Sequence, residues 1–355
     1  MRQKLQGVQC LRAFAALLVV FYHLQLFEQK LPGPLVAPPQ ALYGMSGVDL
    51  FFVISGFIVT TISLRQFGKP GQSLRFLRLR FTRIYPIYWV YFLAILAVFL
   101  ARPDLVNANH GRPNLLYSFL LLPQQATPLL FVSWTLVYEL FFYLVFALAL
   151  QWLRPTQFPF GLLFWAVVVI AGNQLVDTDQ PVPGLLFSPL ILEFQIGCAT
   201  ALLADRIGRR ASLVCLAAGA AGFTLGSAIL EVFDIPFSGW QRTIVYGPSA
   251  ALLVAGVVAL ERGGLAVPQP LVMLGDASYS LYLSHIIVLG VVMHVWLWLH
   301  ASPTPLSHVT ELLVALTAAV VWALISFRCI EMPILNAMRG RRGEQLPPAP
   351  VIATS

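Results

Sequence analysis

Charge is what this chain has least of. Asp, Glu, Lys and Arg make up 10% of its 355 residues, against about 25% in soluble domains. With 58% of the residues hydrophobic, that shortage excludes an ordinary soluble protein and indicates a polytopic membrane protein. Cysteine is scarce as well. Cys10, Cys198, Cys215 and Cys329 are scattered over apolar segments with no CxxC spacing. They read as small hydrophobes, and neither a metal site nor a disulfide framework is indicated. No internal repeat is visible, and no attached soluble domain is expected. The first apolar segment lacks a small-residue cleavage site, so it is expected to stay as a span rather than leave as a signal peptide.

What is present is a series of apolar runs of the length a bilayer needs, about 17–25 residues. They fall near 10–27, 44–64, 84–100, 133–152, 160–176, 187–204, 212–230, 243–260, 277–299 and 309–328. The expected fold is therefore all-α, with ten transmembrane helices. The apolar run 114–122 is too short to span and is bracketed by Pro113 and Pro123; it predicts a surface-lying or re-entrant piece. Residues 1–332 form the expected membrane domain. Residues 333–355, Arg-rich and then Pro-rich, form an expected disordered tail.

A net charge of +7 would suit a nucleic-acid partner, but the loops explain it better. With the N-terminus inside, seventeen Lys and Arg lie on the cytoplasmic side. Lys30, Arg102, Arg112 and Arg242 lie outside, and Arg12 within a span completes the 22. The positive-inside rule then places both termini in the cytoplasm. The outer loops 28–43 and 101–132 are longer than simple turns, a length at which loops are often functional.

Arg12 and His23 are the two intruders in the first span, CLRAFAALLVVFYHLQLF. They are eleven residues apart, so both leave the same helix face about 16 Å apart. Arg12 suits either snorkelling to the headgroups or a functional site. His23 is too deep to snorkel, about 6 Å below the outer end of its span. By the same count Asp49 in the second span lies about 7 Å down and Glu139 in the fourth about 9 Å down. A histidine and two carboxylates from three helices thus share a layer, the arrangement that orients an imidazole and supports its cation. Either carboxylate could be the partner. A buried bond holding helices together, or a proton relay, would use the same residues.

Toward the inner side, SLRFLRLRFTRIYPIYW crowds arginines at the mouth of the third span. Arg80 and Arg83 are three apart on one face, a fork suited to phosphates, whether of membrane lipid or of a ligand. Ser278, Tyr282 and His285 recur at i, i+4 and i+7 in GDASYSLYLSHII, a polar stripe that either joins helices or lines a path between the two clusters. His110, His294, His300 and His308 read as solvated or interfacial.

These pieces together resemble a known family. LRAFAALLVVFYH, GVDLFFVISGFIV, RFTRIYPIYW, SWTLVYELFFY, GDASYSLYLSH and FRCIEMP are similar, in order, to the motifs of the acyltransferase 3 family of integral membrane O-acyltransferases. They cover the chain from Leu11 to Pro333. The resemblance maps the family's Arg–His motif onto Arg12 and His23, its paired arginines onto Arg80 and Arg83, and its acidic residue after Ser-Trp onto Glu139. It implies a stand-alone form that moves an acyl group, by default acetyl, from cytoplasmic acyl-CoA to a hydroxyl of a glycan or glycoside outside the membrane, with no metal and no nucleic acid. His23, with Glu139 or Asp49, would be catalytic. Arg80, Arg83 and Arg12, with Tyr282 and His285 along the path, would hold the donor. A bacterial inner membrane is the implied location. The competing class is a secondary transporter or flippase that couples proton movement to intramembrane His and Glu.

Overall fold

A computed structural model of the chain describes residues 3–106, 111–299, 304–340 and 351–352. His110 and His300, expected at the surface, lie outside the described residues. Among the described residues, ten helices are long and apolar enough to cross a membrane, at Gln6–Glu28, Pro39–Gln66, Gln72–Ala101, Phe131–Trp152, Phe158–Leu175, Pro181–Arg206, Arg209–Val232, Gly239–Arg262, Ser278–Trp298 and Pro305–Met338. They are numbered here as spans 1 to 10. Apart from a two-residue antiparallel pairing of Gln3–Lys4 with Val351–Ile352, the described chain is helix and connecting loop.

The boundaries differ from hydropathy where charge is built into a helix. Span 3 begins at Gln72, and at 30 residues it is about 45 Å long, some 15 Å more than a hydrocarbon core. Arg75, Arg78, Arg80 and Arg83 therefore stand on its first turns and not in a loop. Span 8 begins at Gly239, so Arg242 is 4% exposed inside the bundle, a correction to its expected place in an outer loop. Span 10 runs through Pro333: a π-turn at Phe327–Glu331 leads into Met332–Gly340. The expected tail thus starts as helix, and residues 341–350 and 353–355 lie outside the described part.

Spans 1 and 2 sit centrally. The apolar window of span 2 is 72% buried, against 17% in spans 5 and 7, whose exposed Phe160, Phe164, Leu213 and Leu225 suit lipid tails. Lipid gives apolar helices no hydrophobic reason to associate, so close packing must do it. Spans 2 and 6 achieve this at a pair of glycines. A Cβ at Gly56 would stand 1.9 Å from the Phe194 carbonyl oxygen, and one at Gly197 2.0 Å from that of Val53, so the backbones touch there.

The short piece forms a helix at Leu115–Leu120, capped by the Asn114 side chain, which accepts from the Tyr117 amide at 3.1 Å. Its C-terminal carbonyls have no helical donors. Span 3 supplies them: the Tyr85 hydroxyl donates to Leu120 at 2.9 Å, the Trp89 indole to Phe119 at 3.1 Å, and Tyr88 to Ser118. Since Tyr85 to Trp89 are midway along span 3, this piece dips into the bundle.

Another loop is pinned near the far end of span 1. Glu28 is fully buried and accepts from the amides of Val36 at 2.6 Å and Ala37 at 2.9 Å. His308 of span 10 faces Glu28 Oε1 at 3.2 Å through Nδ1 and the Pro32 carbonyl at 3.1 Å through Nε2. His308 is 2% exposed, which corrects its interfacial reading: the loop folds back over it.

Candidate active site

Spans 1, 2, 3, 4 and 9 enclose a cavity of about 80 Å³, room for several waters or the tip of an extended chain. Arg12, Arg80, Arg83, Glu139, Ser55 and Tyr143 line it, with Ser278, Tyr279, Thr135 and Tyr282 from the other side. The arginines of span 3 form a graded series: Arg75 and Arg78 are exposed, Arg83 is half-buried and Arg80 is 8% exposed. The Arg80 guanidinium lies 5.3 Å from the Phe76 ring centroid and 5.5 Å from that of Tyr143. Its Nε is buried without a hydrogen-bond partner. An orphaned cationic donor in an apolar interior is costly unless something anionic completes it. Arg12 donates from Nε to Ser278 Oγ at 3.1 Å, joining the first residue of span 9 to this cluster.

Glu139 belongs here and not with His23. Its Oε1 accepts from Ser55 at 3.1 Å and from the Tyr143 hydroxyl. Asp49 also leaves the expected layer: Arg242 grips it through both terminal oxygens, Nε to Oδ1 at 3.1 Å and Nη2 to Oδ2 at 3.0 Å. The same guanidinium lies over the rings of Trp134 and Phe237 at 5.8 and 5.3 Å. Glu193, fully buried, interacts with both members of that pair and accepts from Thr243 at 3.2 Å. The expectation that Asp49 or Glu139 orients His23 is therefore corrected. Residue counts fix depth along a span but not the direction in which a side chain leaves it.

The partner of His23 is His285. Its Nε2 lies 3.2 Å from His23 Nδ1, with ring centroids 4.9 Å apart. Each ring also points Nδ1 at the carbonyl one turn back, His23 to Val19 at 2.9 Å and His285 to Leu281 at 3.1 Å. A carbonyl only accepts, so each Nδ1 carries a proton and the neutral tautomer is assigned from the bonds. His285 Nε2 is then a lone pair that shares the His23 Nδ1 proton. His23 Nε2 is left as a second lone pair, buried and without a partner. That is the arrangement a general base requires.

Tyr282 links the two centres. It lines the cavity, its ring is 5.9 Å from that of His285, and its hydroxyl meets Thr135 Oγ1 at 2.7 Å and the Val132 carbonyl at 2.9 Å. The stripe on span 9 thus joins the arginine cavity through Ser278 and Tyr282 to the histidine pair through His285. Tyr143 and Arg242 escaped the sequence reading. Tyr143 is one turn after Glu139 in YELFFY, a spacing that could have been used. Arg242 abuts aromatic and glycine residues in SGWQRTIVYG, and hydropathy alone places it outside. Ser280, which donates to Glu331 Oε2 at 2.6 Å, anchors the π-turn of span 10 to span 9.

These features define a polytopic membrane protein with an ionisable interior of basic, acidic and imidazole groups. The family model for an acyltransferase domain matches residues 5–328, and the chain belongs to that family, acyltransferase 3. It is 33% identical over 311 residues to the exopolysaccharide production protein ExoZ of Rhizobium meliloti, a match covering 84% of this chain and 92% of that protein. It is 27% identical to the acyltransferase MdmB of Streptomyces mycarofaciens over 98% of this chain and 96% of that protein. The peptidoglycan O-acetyltransferase OatA of Listeria monocytogenes matches at 25% identity over 94% of this chain, which spans 56% of the length of OatA. No solved structure matches the chain.

Proposed function

We propose that this protein is a membrane O-acyltransferase that moves an acyl group, acetyl by default, from acyl-CoA to a hydroxyl of a glycan. The donor arrives from the cytoplasmic side, where both termini lie, and the acceptor is modified on the outer side of a bacterial inner membrane. One observation carries the reading: an unpartnered imidazole lone pair on His23, fixed by His285, beyond a cavity rimmed by unsatisfied arginine. The names of ExoZ and OatA, which point to polysaccharide, support a glycan acceptor.

The graded arginines of span 3 draw the phosphates of the donor to the mouth of the cavity, and Arg83 and Arg80 hold them there. The acyl-bearing arm extends past Glu139 and Tyr282 toward the histidines. Glu139, held by Ser55 and Tyr143, places a carboxylate in the arginine cavity that offsets part of the arginines' mutual repulsion. His23 Nε2 takes the proton of the acceptor hydroxyl as its oxygen attacks the thioester carbonyl. The C–S bond breaks, the ester forms, and the departing thiolate receives the proton. Asp49 does not take part in proton transfer; with Arg242 it fixes the wall of span 4 beside the histidines.

The test is acyl transfer by purified protein in detergent, read as free CoA released and as label incorporated into glycan. His23→Ala lowers turnover by 100-fold or more, the span of one general base, while eluting as a folded species. Arg80→Ala raises the KM for acetyl-CoA. Turnover retained in His23→Ala, or substrate flux with no CoA release, would sink the proposal.

A further inference from the structure

A second cleft, of about 340 Å³, opens on a different face of span 4, between the segment after the dipping helix and the turns that enter span 6. We propose that this cleft is the acceptor subsite and that it selects a neutral glycan. The inference rests on the proposed glycan acyltransferase activity and adds to it where the acceptor lies and what charge it carries.

Its volume falls in the range of sites for small molecules, and its walls have the chemistry of sugar recognition. Trp134 and Tyr138 stand on successive turns of span 4 with ring planes at 89° and centroids 5.7 Å apart, offering apolar faces to the C–H face of a pyranose. Gln124, Gln125 and Gln180 supply amides for ring hydroxyls. Gln124 donates to Ser118 Oγ at 3.1 Å, which leaves its Oε1 buried and unpartnered. A sugar hydroxyl is the donor that would complete it. Asp179 is the one ionised side chain among the lining residues. Arg242 lies behind the Trp134 ring but is held by Asp49, so a glycan bearing carboxylates or phosphates would meet that negative charge with no cation among the described lining residues to offset it.

The cleft is also in the right place. Phe131 at the start of span 4 packs edge-on to His23, with centroids 6.0 Å apart. One and two turns on, Trp134 and Tyr138 face the cleft, whereas Thr135 and Glu139 face the arginine cavity. The first turns of span 4 therefore divide the two chambers, with His23 beside the dividing wall. A chain of sugars seated on Trp134 can carry one hydroxyl around Phe131 to the imidazole, while the donor approaches from the arginine side.

Binding is measured without donor, so its outcome is independent of whether acyl transfer occurs. Purified protein in detergent is titrated with cellotetraose and chitotetraose, read by saturation-transfer NMR on the sugar ring protons. At least one of them binds, and tetragalacturonate binds at least tenfold more weakly. Trp134→Ala weakens neutral binding tenfold or more, and Trp134→Phe, which keeps an apolar face, by threefold or less. Asp179→Lys, an exposed change, narrows the gap between neutral and anionic tetrasaccharides by fivefold or more. Failure of both neutral probes to bind the wild type, equal binding by Trp134→Ala, or preference for tetragalacturonate overturns the assignment. Binding intact with no CoA release would count against the enzymatic reading instead.

Discussion

Removing Arg242 should damage the fold far more than the chemistry, and the structure says by how much relative to its partners. The guanidinium is buried against Asp49, with Glu193 on the far side of that carboxylate's hydrogen-bond network, and is covered by two aromatic rings. Breaking such a pair by removing one member typically costs about 3–5 kcal/mol, because a bare charge is left in an apolar interior. Arg242→Met leaves the buried Asp49 carboxylate without its cation and belongs in that range. Asp49→Asn leaves Glu193 to balance the arginine, so its cost falls below the range. For 355 residues the unfolding entropy of soluble proteins scales to roughly 0.75 kcal/mol/K. A loss of about 5 kcal/mol then lowers Tm by roughly 7 °C. The triple change Asp49→Leu, Arg242→Met, Glu193→Leu removes every charge together and should recover most of that loss. Thermal unfolding in detergent, followed by fluorescence-detected size exclusion, measures all three, with turnover below Tm measured alongside. Asp49→Asn abolishing turnover at unchanged Tm would refute the structural role and return Asp49 to the chemistry.

Other substitutions probe other parts of the bundle. Gly56→Ala puts a methyl against the backbone of span 6 and should destabilise by about 1–3 kcal/mol, visible as a lowered detergent Tm; an unchanged Tm would mean the spans can part freely. His285→Ala removes the fixed neighbour of His23 and should cut kcat about tenfold or more with little change in donor KM, whereas His285→Gln, whose Oε1 reaches the position of the imidazole Nε2 and can still accept from His23, should restore part of the loss. Tyr143→Phe deletes one of the two hydroxyl donors to Glu139 and should raise the KM for acetyl-CoA severalfold. His308→Ala frees the loop that Glu28 secures, and limited proteolysis should then cut between Lys30 and Pro38 faster than in the wild type.

The ten spans were legible because their signal is compositional: long apolar runs survive any error about faces. The motifs singled out Arg12, His23, Arg80, Arg83, Glu139, Tyr282 and His285, and the structure gathers these into two connected clusters. What counting along helices could not provide was azimuth. Counted from the span ends, Asp49, His23 and Glu139 share a layer, yet Asp49 faces span 8, His23 faces span 9, and Glu139 bonds to Ser55, six residues further along span 2 than Asp49. The hidden ion pair had a second cause. Arg242 sits three residues inside the start of its helix, where a hydropathy window sees a loop. Glu28 and His308 were masked in the same way, since both lie beside loops that fold back and cover them.

Because both imidazoles spend their Nδ1 proton on a carbonyl or on each other, and no acid touches either ring among the described residues, a cation formed on His23 has no counterion waiting. Such a charge cannot persist as a resting state, and in the proposed reaction its readiest exit is the sulfur of the departing thiolate. Release of the first product would then be tied to resetting the base. An analogue whose leaving atom cannot take up a proton should therefore bind without giving up its acyl group.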